Sequence, residues 1–291
     1  MAVVVVNYGS HDLLDADHFE ALSGTSGVEL VVVDNLHSAD ERVAVARVCR
    51  ERGFDLLALD TNTGFGAAVN RGVAHARRSR SLDAVVLLNP DAVLERDVLV
   101  RLAETVAADA PQLLCPTVLK RDGSTWFGGG ELLMDHGRTR TAGVDVTRAE
   151  HPWVTGACLA FQPDLWDRLG GFDERYFMYW EDIDLSFRAR RLGARVVVDR
   201  ELTVLHDVGA TQGSVTKSDL YRRYNCRNRL LFAAVSLPRR RAVRWVLHAP
   251  GYAWLILRRD GKRPLVRRPV SMLWSVLRGT AEGVAFVLRG R

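Results

Sequence analysis

Only four cysteines, Cys49, Cys115, Cys158 and Cys226, occur in 291 residues, and no two form a C-x-x-C pair. Their spacing fits neither a zinc site nor a disulfide framework, which leaves them as reduced core residues of a cytosolic protein. A long apolar run is missing as well. The best candidate, Tyr252 to Leu257, is closed by Arg258 and Arg259 and falls far short of the roughly 20 residues that span a bilayer. The opening Met-Ala-Val-Val-Val-Val-Asn-Tyr has no basic n-region and too short an apolar stretch for a signal peptide, so it reads as a buried first strand. No glycine fingerprint follows that strand. Asn7-Tyr-Gly-Ser-His11 lacks the G-x-G-x-x-G spacing, which argues against a dinucleotide-dependent oxidoreductase. The Gly-rich loop with a basic residue that a sugar nucleotidylyltransferase would want there is also absent.

Acids are nearly missing from the last quarter of the chain. From Tyr221 to Arg291 there are 17 Lys/Arg against Asp260 and Glu282, a local charge of +15. The first 220 residues carry 23 bases and 33 acids, a charge of −10, so the overall +5 hides an acidic body with a basic tail. Such asymmetry points to an anionic partner for the tail. Nucleic acid is not the expected one, because the acidic body would repel phosphates flanking any bound site. From Leu230 the tail alternates apolar and basic residues, as in Tyr252-Ala-Trp-Leu-Ile-Leu before Arg258-Arg and Met272-Leu-Trp before Arg278. That composition fits helices lying in an anionic membrane surface. The bland alternative is a helical cap on the preceding domain, or a homodimer interface.

What is present in the first half is an α/β pattern. Strand candidates Val3–Val6, Leu30–Asp34, Leu56–Asp60 and Ala84–Asn89 alternate with helical stretches Glu41–Arg52, Ala67–Arg78 and Arg96–Ala108. Alternation of this kind predicts βαβ units and a mainly parallel, Rossmann-like sheet flanked by helices. Ligands of such sheets sit beyond the carboxyl ends of the strands. Polar residues stand there: Asn7, then Asp34 with Asn35, then Asn62, then Asn89 with Asp91. The stretch from Leu113 to about Gly156 reads as irregular. Order returns with a strand at Val154–Phe161, a short helix at Pro163–Leu169 and a helix at Glu181–Leu192.

Several residues could carry chemistry. Asp91, in Leu87-Leu-Asn-Pro-Asp, could hold a hard divalent cation against a diphosphate. Taken alone it could equally be a strand-ending turn. Asp34-Asn35 could accept from a base imide N–H and contact a ribose, or form an Asx turn. Asn62-Thr-Gly-Phe-Gly-Ala-Ala-Val-Asn70 puts Gly64, Phe65 and Gly66 at a strand-to-helix junction, where small residues let a ligand or a neighbouring backbone approach. Glu181 and Asp182 open a helix and could supply a general base, or could simply oppose a helix dipole. His206 ends a strand and by itself reads as a structural histidine.

In their order along the chain, these motifs resemble those of family 2 glycosyltransferases with the GT-A fold, in the rhamnosyltransferase-like branch. The elements are Val5-Val-Asn-Tyr, Val33-Asp-Asn, Asn62-x-Gly-Phe-Gly-x-Ala-x-Asn-x-Gly, Leu88-Asn-Pro-Asp, Gly156-Ala157 and the long block from Gly170 through Glu181-Asp-Ile-Asp to Arg188. The resemblance covers about residues 3 to 230. It implies a catalytic domain over 1–220, with a nucleotide-binding half at 1–110 and an acceptor and catalytic half at 111–220. Residues 221–291 form the basic helical segment.

The resemblance also implies roles. Asn7, Asp34, Asn35, Asn62, Gly64, Phe65, Gly66, Asn70, Asn89 and Asp91 would line the donor pocket. Asp91 and His206 would ligate Mg²⁺ or Mn²⁺. Asp182 would be the catalytic base, with Glu181 placing the acceptor. Trp153, Gly156, Ala157 and Trp180 would flank the sugar and acceptor sites. Many relatives carry Asp-x-Asp where this chain has Asn89-Pro-Asp91, a form that points to a dTDP-sugar, L-rhamnose above all, with a UDP-hexose as the alternative. The expected reaction is inverting transfer to a glycan or polyprenyl-diphosphate-linked glycan of the cell envelope. The expected place is the inner face of the cell membrane, peripherally bound. A catalytically idle carbohydrate-binding relative is the non-enzymatic alternative.

Overall fold

The computed structural model describes residues 1–79, 81–108, 110–141, 143–145, 147–206, 218–259, 261 and 268–290. Asp260, Lys262, Arg263 and Arg267 of the basic tail lie outside the described residues.

Four parallel strands form one flank of a nine-stranded sheet: β1 (Ala2–Asn7), β2 (Glu29–Asp34), β3 (Asp55–Ala58) and β4 (Val85–Leu88). β-branched side chains suit the pleat, and Val3, Val4, Val5 and Val31–Val33 are buried because helices cover the faces of a parallel sheet. The helices between them are α1 (His11–Leu14) and α2 (Asp17–Ser23), then α3 (Ala39–Arg52), then α4 (Phe65–Ser79). α3 begins where Ser38 Oγ accepts from the Glu41 amide at 3.1 Å, and ends where Gly53 takes φ 70°. The alternation of parallel strands and helices expected from the sequence is borne out.

The sheet continues through β5 (Ala92–Val93), β6 (Gln112–Leu119) and β10 (Cys158–Phe161) to β11 (Arg195–His206), in the order β3-β2-β1-β4-β10-β6-β11-β5. β10 runs antiparallel between β4 and β6. Here the irregular reading of the region after Leu113 is corrected, since β6 is an eight-residue, largely buried central strand. Pro116 disguised it. β7 (Thr125–Phe127) pairs with β6, and β8 (Glu131–Leu133) with β9 (Arg138–Arg140) makes a separate hairpin. The strand expected at Val154–Phe161 is shorter than expected, starting only at Cys158. α5 (Arg96–Ala108), α6 (Pro163–Leu169) and α7 (Glu181–Arg191) flank the sheet.

The tail is helical. α8 (Asp219–Ser236), α9 (Arg239–Leu247), α10 (Ala249–Arg258) and α11 (Pro269–Arg289) pack together and onto the sheet domain. α11 lies along α8 at Gly279 and Gly283, where an added Cβ would meet the carbonyl oxygen of Arg223 at 2.1 Å and that of Arg227 at 2.9 Å. Trp245 of α9 is fully buried, stacks on Phe232 and donates from its indole to the Met134 carbonyl at 2.7 Å. Arg229 donates to the carbonyls of Gly137 and His136 and lies over Trp245 and Tyr252; burial pulls its guanidinium down to about 10. No helix among the described residues is long and apolar enough to cross a membrane.

Candidate active site

The strand register gathers the site. Asn7 pairs with Asp34 at the ends of β1 and β2, and Ala92 of β5 pairs with His206 at the end of β11, next to Asp91. Asp91 and His206 meet there, with Nε2 to Oδ1 at 3.0 Å and both side chains nearly buried. Asn89 Nδ2 stands 3.5 Å from the same imidazole nitrogen. Ligand atoms about 2.1 Å from a divalent ion at right angles are themselves roughly 3 Å apart, so this pair fits adjacent positions of one octahedral cation. His206 Nδ1 is buried without a hydrogen-bond partner among the described residues. Neither this pair nor any other group among them gathers three His, Cys, Asp or Glu ligands, so a cation here would need further ligands from a bound substrate or water.

Glu181 and Asp182 open α7 on a strained turn. Tyr179 and Trp180 take φ of 67° and 74°, which costs a side-chain-bearing residue of order 1–2 kcal/mol each. Asp182 is half-buried. Its Oδ1 accepts from the Ile183 amide at 2.8 Å, and the Gly156 amide donates to the same carboxylate. Desolvation outweighs these bonds and pushes Asp182 up to about 6. Glu181 is buried, and desolvation together with the Asp182 charge holds its carboxyl well above the usual range. One carboxylate able to take a proton thus stands beside one kept neutral. The last acid of the motif serves structure. Asp184 pairs with Arg188 at 2.7 Å, and Arg188 in turn donates to the carbonyls of Leu169 and Gly171.

A short chain of bonds connects the two centres. The Asn89 amide donates to Ala157 O at 2.9 Å, and neighbouring Gly156 donates to Asp182. Gly156 and Ala157 therefore act through their backbone, fixing the Asp182 carboxylate relative to the Asn-Pro-Asp turn.

Several other expected donor residues hold the surrounding loops through internal hydrogen bonds. Asn7 donates to Glu41 and accepts from Ser10. Asp34 is fully buried and pairs with Arg42 at 2.8 Å. Asn35 donates to Asn62 Oδ1 and the Gly64 carbonyl and accepts from the Thr63 amide. Asn70 exchanges both bonds with the backbone of Phe172. Gly64 has φ +84°, and a Cβ there would stand 2.2 Å from the Phe177 carbonyl oxygen. Phe65 donates its amide to that oxygen, and Gly66 abuts Phe172. Of the two approaches open to this loop, the neighbouring backbone takes the one at Gly64. The loop holds the Phe172–Phe177 segment that leads to the carboxylates.

The aromatic assignments need correcting. Trp180 is 2% exposed and packs on Phe232 and Trp245, so it offers a sugar no free face. Trp153 is buried against Phe127, its indole donating to the Glu131 carbonyl. The aromatic ring beside the Asp91–His206 pair is instead half-buried Trp126, 4.7 Å from His206. Asn228 was also missed. Fully buried on α8, it donates at 2.8 Å to the carbonyls of both Met178 and Tyr179 and so pins the strained turn before Glu181. Its signal lay in Tyr224-Asn-Cys-Arg-Asn-Arg, a polar run on a helix otherwise suited to burial.

Residues 1–229 match the family described as "Glycosyltransferase like family 2". The chain belongs to that family. A hexosyltransferase of low-salt glycan biosynthesis, Agl10 of Haloferax volcanii, is 24% identical over 238 residues, covering 79% of this chain and 74% of that one. The N-acetylglucosaminyl-diphospho-decaprenol L-rhamnosyltransferase of Mycobacterium tuberculosis is 29% identical over 220 residues, covering 66% and 71%. Among solved structures, a mannosyltransferase from Pyrobaculum calidifontis in complex with GDP-Man and Mn²⁺ aligns with TM-score 0.57 at 17% identity, over all of this chain and 75% of the other. S. aureus TarS 1-349 in complex with UDP-GlcNAc gives 0.57 at 13% identity, over 98% and 81%. These similarities establish a GT-A glycosyltransferase.

Proposed function

We propose that this glycosyltransferase moves L-rhamnose from dTDP-L-rhamnose onto a hydroxyl of a polyprenyl-diphosphate-linked glycan, with inversion at the anomeric carbon. The observation that carries the reaction type is the linkage of one titratable carboxylate, Asp182, through Gly156 and Ala157 to the turn bearing Asn89 and Asp91. Asp182 takes the proton of the acceptor hydroxyl as its oxygen attacks the anomeric carbon from the face opposite the diphosphate. The bond to the diphosphate oxygen breaks in the same displacement, and no covalent sugar intermediate forms. Glu181, kept neutral, can donate to the acceptor and hold it against its neighbour. Asp91 and His206 would hold Mg²⁺ or Mn²⁺, which supplies positive charge against the leaving diphosphate.

The donor assignment is supported by Asn89-Pro-Asp91 and by the similarity to a rhamnosyltransferase. Transfer rates for dTDP-L-rhamnose and a UDP-hexose on one acceptor test it; a faster UDP-hexose would replace it.

The membrane reading of residues 221–291 is supported by exposed apolar residues on α9 to α11. Leu247, Trp254, Trp274 and Leu288 are all more than half exposed, with Arg244, Arg258 and Arg278 among them. Apolar and aromatic residues interleaved with arginines suit an anionic bilayer surface, which supports a peripheral position close to a lipid-linked acceptor.

A further inference from the structure

A cavity of about 640 Å³ opens where the end of α7 meets the α8–α9 elbow and the end of α11. Its floor is apolar, with Met134, Phe187 and Val287. Three arginines line it: Arg191 from the last turn of α7, and Arg239 and Arg241 from the first turn of α9. None of the three has an ion-pair partner among the described residues, and the first turn of α9 holds no acid. Three unneutralised guanidinium groups over an apolar floor form a site for an amphiphile with an anionic head. Phosphate oxygens match the guanidinium fork, and the floor can cover the first apolar units behind them.

The cavity is separate from the reaction centre yet rigidly tied to it. Asp182 and Arg191 occupy opposite ends of one helix, roughly 14 Å apart at 1.5 Å per residue. We infer that Arg191, Arg239 and Arg241 form a binding site for the diphosphate and first isoprene units of the lipid-linked acceptor. This rests on the lipid-linked acceptor proposed above.

The test is calorimetric titration of the full chain with farnesyl diphosphate below its micelle concentration, alongside inorganic pyrophosphate and farnesol. The variant Arg239→Glu/Arg241→Glu is compared with Arg50→Glu/Arg168→Glu, which makes the same charge change at exposed positions outside both the cavity lining and the proposed membrane surface. Farnesyl diphosphate should bind at least tenfold more tightly than either pyrophosphate or farnesol. The cavity variant should weaken that binding at least tenfold and the control variant less than threefold. With a lipid-linked acceptor the cavity variant should raise acceptor KM while kcat stays within twofold. Equal binding of farnesyl diphosphate and pyrophosphate would make this a simple anion site and overturn the proposal. So would equal loss in both variants, or no binding to the wild type. Rhamnosyl transfer to a water-soluble glycan is run in parallel: if it persists while prenyl diphosphate fails to bind, the cavity assignment alone has failed.

Discussion

Asp182→Asn should make the protein inactive and more stable at the same time. The folded carboxylate titrates at about 6 against an ordinary 3.8 because burial disfavours its charge. That gap corresponds to about 3 kcal/mol of destabilisation once the group is ionised, an upper value because the carboxylate keeps some contact with water. Between about pH 4 and 6 the native state holds a proton that the unfolded chain has released, so stability falls as pH rises through this window. The Asn side chain carries no charge to desolvate. It offers one uncharged acceptor oxygen in place of two charged ones to the Ile183 and Gly156 amides, which gives back about 1 kcal/mol. A net gain of about 1–2 kcal/mol should raise Tm by about 2–4 °C at pH 7.5, whereas near pH 4, where only the weakened hydrogen bonding is left, Tm should not rise. Transfer should fall by roughly 10²–10⁴, with donor affinity almost unchanged. Differential scanning calorimetry at the two pH values, with a radiolabelled-sugar transfer assay, reads both effects. A variant that melts lower at pH 7.5, or that turns over like the wild type, refutes the reasoning.

Further outcomes follow from other parts of the site. Asp91→Ala and His206→Ala should each weaken donor binding in Mn²⁺, and EDTA should lower the wild type to their level; full activity in excess EDTA would contradict the metal assignment. Wild-type kcat/KM should fall on the acid side with an apparent pKa near 6, since Asp182 must be ionised to accept a proton; a flat profile down to pH 5 would remove it as the base. Asn228→Ala should cost roughly 10–100-fold in kcat through misplacement of Glu181 and Asp182, while the donor KM barely moves; an unchanged kcat would reduce Asn228 to packing. Trp254→Ser/Trp274→Ser should abolish sedimentation with anionic liposomes at low salt without loss of Tm, and unchanged sedimentation would end the membrane reading.

The parallel half of the fold was legible because its strands are dense in Val and Leu and its helices carry ordinary caps, such as Ser38 with Glu41. β6 was not, because Pro116 sits inside it and its neighbours β10 and β11 come from distant segments. The acids and His206 stood out by residue type and position. Their supports did not. Whether Asn35 or Asn70 meets a ligand or a backbone depends on contacts tens of residues away, as with Asn70 and Phe172. Trp180 shows the converse: an aromatic beside Glu181 and Asp182 looks ready to meet a sugar, yet α8 and α9 cover it with Phe232 and Trp245. That covering belongs to a tail whose apolar positions could not be split, from sequence, between those facing the protein and those facing outward.

The central claim is single displacement assisted by one carboxylate, and the anomeric configuration of the product tests it most directly. The wild type should be supplied with dTDP-β-L-rhamnose and an acceptor glycan, and the one-bond C1–H1 coupling of the new linkage measured by NMR. Inversion predicts an α-L-rhamnoside as the only product, and none from Asp182→Asn. A β-L-rhamnoside would contradict the account, because retention requires chemistry that one base acting in a single displacement cannot perform.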